Sequence, residues 1–260
     1  MKITISEKTK KDLFVSIFQV MKHYSNAMKI VFKEDNMFIQ GMDRSHISLF
    51  EIKIMKNWFS GYDRTSNDKE SICLDTNIFF NVISMCSENH TLIIEYDDDP
   101  DNINIKCVCD NHKKGDFEKF FNIPLLDIET EYFEIPEVDY QVDFSINSKK
   151  MNEIISQLLI FGDVLNIKCC EENIKMISTG VSGEMNVNIP VDDLTEYSFI
   201  ENDDELNVSF GLGYIQKMCV HPKIASEISV SISNDYPMRM KYELGNDSHC
   251  IFYLAPKSED

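Results

Sequence analysis

Asp43-Arg44-Ser45-His46 sets a hydroxyl beside an imidazole, the two groups from which a nucleophile and its base could be built. Neighbouring residues on a strand point to opposite faces, so adjacency alone keeps these side chains apart, and a surface loop or binding rim is expected here. Asp97-Asp-Asp-Pro-Asp101 offers carboxylates to a hard cation, but it lacks the glycine and distal glutamate of a calcium loop. It falls between two strand patterns and reads as a solvated hairpin tip. Eight cysteines, at 73, 86, 107, 109, 169, 170, 219 and 250, include no CxxC pair and no histidine at metal-finger spacing. Cys107 and Cys109 alternate on a predicted strand and share a face, yet no recognisable spacing supplies two further ligands, so free and mostly buried thiols are expected. There is no phosphate-cradling glycine loop and no HExxH. No catalytic, cofactor or metal site is expected, and the chain does not read as an enzyme.

The elements that position these residues must come from a chain of 260 residues, 43% hydrophobic and 27% charged, which can bury a substantial core. The net charge of −19 excludes a surface that grips phosphate all round, while leaving room for a small basic lining on an acidic body. No basic-then-apolar leader is present, and no apolar run approaches the roughly 20 residues that span a bilayer. A soluble intracellular protein is expected, with no membrane partner.

The chain is written twice. At a constant offset of 137, Ala27 to Ile52 lies over Val164 to Ile189, with Ile30 on Ile167, Glu34 on Glu171, Asn36 on Asn173 and Ser45 on Ser182. The same offset puts His90 to Cys107 over Glu227 to Leu244 and Pro100 on Pro237. Each half carries two helical patterns. In the first, Leu13, Ile17, Val20, Met21 and Tyr24 fall within about 100° of arc, with Lys8, Lys11 and Lys22 opposite. The third buries Met151, Ile154, Ile155 and Leu158 behind Lys149 and Lys150. Between these, residues 76 to 86 carry Asn77, Asn81 and Ser84 along one polar side, and residues 213 to 222 place Lys217 and His221 four apart before Pro222. The rest alternates as strand, so each half reads strand, helix, three strands, repeated. This is an α+β class with helices on antiparallel sheets. Residues 122 to 140 carry two prolines, many acidic residues and no period, and read as an extended linker.

Phe38-Ile-Gln-Gly-Met-Asp-Arg-Ser-His-Ile-Ser-Leu49 closely resembles the first-domain signature of the eukaryotic-type DNA sliding clamp, the proliferating cell nuclear antigen family. Phe161-Gly-Asp-Val-Leu-Asn-Ile167, Glu134-Ile-Pro-Glu137 and Tyr253-Leu-Ala-Pro-Lys257 resemble three further landmarks in the same order, so the likeness covers essentially the whole chain. The resemblance implies a clamp fold with an N-terminal domain at 1–121, a connecting linker at 122–139 and a C-terminal domain at 140–260. It implies a homotrimeric ring encircling double-stranded DNA without sequence preference, helices inside. It implies a processivity factor without cofactors, loaded by a clamp loader in the nucleus and tethering polymerase and other replication and repair proteins.

By the same resemblance, the DNA lining falls on Lys8, Lys10, Lys11, Lys22, Lys149, Lys150, Lys217 and His221. The pocket for partner peptides ending in paired aromatics falls on Met42, His46, Ile47 and Leu49, with Phe133, Ile135 and Pro136 from the linker. Pro237, Tyr253, Leu254, Ala255 and Pro256 complete it. The joint between copies falls on Asp116, Phe117, Glu118, Phe120 and Phe121 against Ser182, Glu184 and Val187. Several positions depart from the family pattern. Residues 61–69 replace a basic cysteine-containing motif, residues 76–86 hold no Lys or Arg, and Glu153 and Ser156 stand where the family has arginines. Glu171 stands where the family has its ubiquitin-accepting lysine, with Lys168 nearby, and residues 122–125 resemble an insertion. The alternatives are a subunit of a heteromeric checkpoint-type clamp and a monomeric or dimeric viral processivity factor.

Overall fold

The computed structural model describes residues 1–65, 69–97, 101–109, 114–128, 132–200, 205–219 and 225–257. The first half runs β1 (Lys2–Ile5), α1 (Lys8–Met21), β2 (Ala27–Phe32), β3 (Asn36–Met42) and β4 (Ser48–Met55). A 3-10 turn (Lys56–Trp58) leads to β5 (Gly61–Asp63), β6 (Ser71–Asp75), α2 (Thr76–Ser84), β7 (His90–Glu95), β8 (Asn102–Cys109) and β9 (Lys119–Pro124). The second half repeats that order: β10 (Val142–Asn147), α3 (Ser148–Leu158), β11 (Val164–Cys169), β12 (Asn173–Gly180) and β13 (Gly183–Pro190). A second 3-10 turn (Val191–Asp193) is followed by β14 (Glu196–Phe199), β15 (Leu206–Gly211), α4 (Leu212–Cys219), β16 (Glu227–Ile232), β17 (Met238–Gly245) and β18 (Ser248–Leu254). The expected α+β architecture is present, and the repeat holds to the residue in places. β2 and β11 begin and end 137 positions apart, as do β7 and β16.

Two compact units result. The first comprises Met1–Arg44, Glu51–Phe133 and Leu244–His249, and the second Ser45–Phe50, Glu134–Glu243 and Cys250–Asp260. In the first, one sheet runs β5-β1-β7-β8-β9 and another β4-β3-β2-β6; in the second, the counterparts run β14-β10-β16-β17-β18 and β13-β12-β11-β15. Among the described residues β9 pairs with β8 alone and β13 with β12 alone, both antiparallel. Their outer backbone groups are bare. Their repeat counterparts are covered, since β18 has β4 beside it in the sheet order. Within the second unit, the Ala255 N–H at the end of β18 donates to the Ile47 carbonyl just before β4, at 3.1 Å.

Helix positions follow from caps and apolar faces. Asp75 caps α2 by accepting from the Ile78 N–H at 2.8 Å, and Asn147 caps α3 by accepting from Lys150 N–H at 3.1 Å. On α1 the buried face is wider than the expected stripe. Phe14 and Phe18 join Ile17, Val20 and Met21 in the core, and their rings meet each other at 4.7 Å and Phe79 of α2 at 6.5 and 4.8 Å. Trp58, fully enclosed, extends the cluster and donates its Nε1–H to Leu244 O at 3.0 Å. In the second unit Met151, Ile155 and Leu158 of α3 and Leu212, Ile215 and Met218 of α4 are buried, while Ile154 is half-exposed. Tyr242 O–H donates to Met218 O at 2.8 Å and holds the end of α4 on its sheet. No helix among the described residues is long and apolar enough to cross a membrane.

Candidate partner-docking and nucleic-acid surfaces

Asp43 to Ile47 forms an exposed turn between β3 and β4, the surface loop expected there, and His46 adopts φ 56° within it. The turn leaves His46 and Ile47 exposed. β4 begins with three buried residues, Ser48, Leu49 and Phe50, and Leu49 is 8% exposed. At the other end of the second unit, β18 buries Leu254 completely, while Tyr253, Ala255 and Pro256 are half-exposed. Of the residues expected to line a peptide pocket, Leu254 is therefore a core side chain that presents no face to a partner, and Leu49, in phase on β4 with the half-exposed Glu51 and Lys53, keeps only a small exposed area. The Ala255–Ile47 hydrogen bond brings the turn and the chain end together within this unit. Ile135 is half-buried, and Pro136 and Pro237 are exposed. Pro237 O accepts from the Tyr140 hydroxyl at 3.2 Å.

Met42 and Phe133 belong to the first unit. There Gln40 pins the linker by two reciprocal bonds, its Nε2–H donating to Phe133 O at 2.9 Å and its Oε1 accepting from the Phe133 N–H at 2.8 Å. Tyr132 lies against Phe38 at 6.0 Å between ring centres and takes the Lys29 ammonium over its face at 4.8 Å. Partial burial pushes the Tyr132 phenol up to about 12. Further back, Leu126 N–H donates to Cys73 O at 2.8 Å, and β9 itself continues through Pro124, which an edge strand accommodates. The sequence reading missed Gln40. Its signal was a polar residue on the solvent face of an otherwise apolar strand.

The expected cationic residues divide by environment. Lys149, Lys150 and Lys217 are exposed, Lys150 pairing with Glu153 at 3.4 Å and Lys217 lying 5.3 Å from the Tyr214 ring centre. Lys8 is exposed and ion-paired with Glu88, a bond that raises its pKa. Lys10 pairs with Glu7 at 3.1 Å and lies 5.8 Å from the centre of the Trp58 ring. Lys22 is half-buried with its ammonium 4.3 Å over the Phe80 ring. His221 falls outside the described residues.

Lys11 corrects the helical-wheel expectation. It is only 4% exposed, and its ammonium donates to the carbonyls of Ser87, at 3.2 Å, of Glu88, at 2.8 Å, and of His90. Phe14 and Phe18 extend the packed face around α1 until it reaches Lys11, whose aliphatic stem is enclosed while its charge ties down the turn after α2. It has no charge to offer a phosphate.

A cleft of about 430 Å³ on the second unit is lined by Asp143, Ser145, Glu196, Ser229, Ser231, Arg239 and Lys241, among others. Its polar groups satisfy one another. Arg239 donates to Ser231 Oγ from Nε and Nη2 at 3.2 and 2.9 Å, Ser231 Oγ–H donates to Asp143 at 2.5 Å, and Lys241 pairs with Glu243. This is a self-contained polar sheet face.

The edges complete the inventory. Phe117 and Phe120, at and before β9, are 74% and 63% exposed, and Val181, before β13, is fully exposed. Glu118, Ser182 and Glu184 are exposed, whereas Asp116, Phe121 and Val187 are half-buried.

The sequence profile described as proliferating cell nuclear antigen, N-terminal domain, matches residues 7–133, and that described as its C-terminal domain matches residues 134–257. The proliferating cell nuclear antigen of Chaetomium thermophilum is 25% identical over 228 residues, 85% of each chain. The crystal structure of PCNA from Thermococcus kodakaraensis superposes with a TM-score of 0.86 at 17% identity, covering 98% of this chain and 99% of that one.

Proposed function

The chain belongs to the proliferating cell nuclear antigen family, and on that premise we propose that three copies join head to tail into a ring around duplex DNA. Members of this family are DNA sliding clamps, non-enzymatic scaffolds that serve replication and repair by partnering DNA, polymerase and other replication proteins. The observation that carries the ring is the pair of bare edges. β9 is the repeat counterpart of β18, and β13 that of β4. β18 and β4 are sheet neighbours, so β13 of a second copy offers β9 the neighbour that β4 is to β18. The joint sets Asp116–Phe121 against Ser182–Val187, satisfies both rows of unpaired backbone groups and covers Phe117 and Phe120. Two different surfaces per copy make the contact heterologous, which yields a ring when the rotation closes.

Within such a ring Lys8, Lys149, Lys150 and Lys217, which are exposed, and Lys10 and Lys22, which are partly so, hold phosphates without reading sequence, weakly enough to slide and with strong salt dependence. Partners carrying paired aromatics dock on the second unit at His46, Ile47, Ile135, Pro136, Pro237, Tyr253, Ala255 and Pro256. A half-exposed apolar patch with polar edges suits peptide anchors there. Loading requires an ATP-driven opener, and the site of action is the nucleus.

Light scattering tests the ring: a mass near three times the 30.2 kDa chain is expected. A mass of one or two chains at micromolar concentration favours the lower-order processivity factor instead. Retention on circular but not linear DNA after loading tests encirclement. A tagged chain excluded from nuclei would overturn the nuclear address.

A further inference from the structure

β3 lies between β2 and β4 in its sheet, so its backbone N–H and C=O groups are committed to those neighbours and offer nothing to a segment crossing its surface. Phe38 and Gln40 stand two apart on β3, on the face opposite the fully buried Ile39, and their side chains take hold of the linker instead. The Phe38 ring meets that of Tyr132, and Gln40 binds both polar backbone atoms of Phe133. A primary amide has a donor arm and an acceptor arm, so one side chain reproduces the reciprocal pair of an antiparallel bridge.

Gln40 Nε2 has a second proton, and it goes to Glu51 Oε2 on β4 at 3.3 Å. The other oxygen of that carboxylate lies 3.8 Å from His249 Nε2 on β18. A flipped Gln40 amide would set its oxygen against the Glu51 carboxylate and the Phe133 carbonyl at once, so the carboxylate leaves the amide a single orientation. Gln40, Glu51, His249 and Phe133 all belong to the first unit. The effect falls on Phe133, whose backbone is held at both polar atoms while its side chain stays 40% exposed.

We propose that Gln40, oriented by Glu51, is a positioning residue for partner docking, which presents the Phe133 ring to peptides ending in paired aromatics. This rests on the docking reading given above, and it carries the docking surface from Ile135 back along the chain onto the first unit. Neither Gln40 nor Glu51 has to touch the partner. A backbone fixed before binding spares the complex the entropy of ordering it, so the contact made by the ring is retained as affinity.

The test uses full-length variants, with hydrogen exchange at the Phe133 N–H and calorimetry of a peptide ending in paired aromatics as readouts. Gln40→Met keeps the length of the side chain and loses both bonds to the linker. It should speed Phe133 exchange at least about 10-fold and weaken peptide binding about 10-fold, with the mass of the assembly unchanged. Glu51→Gln, whose amide oxygen still accepts from Gln40, should keep both values within about 2-fold, whereas Glu51→Ala should move both toward those of Gln40→Met. In a Phe133→Ala background, Gln40→Met should cost less than about 2-fold in affinity, because the ring it positions is gone. An equal loss with and without the ring would make Gln40 a purely structural residue and overturn the proposal, as would undiminished affinity in Gln40→Met. Unchanged Phe133 exchange in Gln40→Met would overturn the hold on the linker itself. A wild-type chain that binds no such peptide overturns the docking reading and this proposal with it, and Phe133 exchange that still responds to Gln40→Met marks that outcome off from the others.

Discussion

Lys11→Met separates a structural lysine from a DNA-binding one. The substitution keeps the aliphatic stem that packs on α1 and removes only the ammonium with its three carbonyl partners. Hydrogen bonds to a charged group contribute about 1.5–3 kcal/mol each. Ser87 and Glu88 are exposed residues whose carbonyls regain water, whereas the bond to His90 O is buried, so the loss is closer to one such bond than to three. A destabilisation of about 2–3 kcal/mol follows. With a urea slope of about 2–3 kcal/mol per molar, the unfolding midpoint of the first unit falls by about 1 M. The assay pairs urea unfolding followed by Trp58 fluorescence with duplex-DNA binding by anisotropy at several salt concentrations. Trp58 reports locally, since it packs 6.4 Å from Phe14 on the same helix. The DNA salt slope should not change. A slope reduced by about 0.9, the value of one lost phosphate contact, together with an unmoved urea midpoint, would refute the placement of Lys11.

The lysines left to DNA should behave oppositely: Lys22→Ala, Lys149→Ala and Lys217→Ala together should flatten the salt slope by up to about 2.7 and leave the unfolding free energy within about 1 kcal/mol, and an unaltered slope excludes them. Gly180→Ala drives a Cβ to 2.1 Å from the Phe161 carbonyl oxygen and should cost at least about 3 kcal/mol, whereas Gly213→Ala, with nothing within 4 Å in the first turn of α4, should gain up to about 1 kcal/mol. Thermal melts that rank the two alike contradict that geometry. Ile135→Ala with Tyr253→Ala should lower affinity for a peptide ending in paired aromatics at least about 100-fold, about 2.7 kcal/mol, with the mass of the assembly unchanged. Calorimetry showing undiminished affinity rules the docking surface out.

What the sequence disclosed was local. Alternation, turn residues and 3.6-residue periodicity depend on neighbours along the chain, and they placed β2 against β11 and β7 against β16 in the repeat register. Lys11 was misplaced because a helical wheel knows one helix, not the turn at 87–90 that folds over it. Leu254 followed the family motif into the pocket, yet strand alternation turns it inward with Cys250 and Phe252. The surface loop at Ser45 and His46 was legible, but not its geometry: His46 sits in the left-handed region, a state histidine adopts more readily than most residues. The approach of Cys86 and Cys109 to His90 joins a helix end to a hairpin, and no spacing rule encodes it.

The bare edges of β9 and β13 also carry a hazard. A head-to-tail contact has no internal stop at three, because every added copy presents a fresh edge; only curvature ends the growth. A substitution that altered the angle of the joint without weakening it would not produce a looser ring. It would produce a fibre, with Phe117 and Phe120 buried at each step and DNA threaded nowhere.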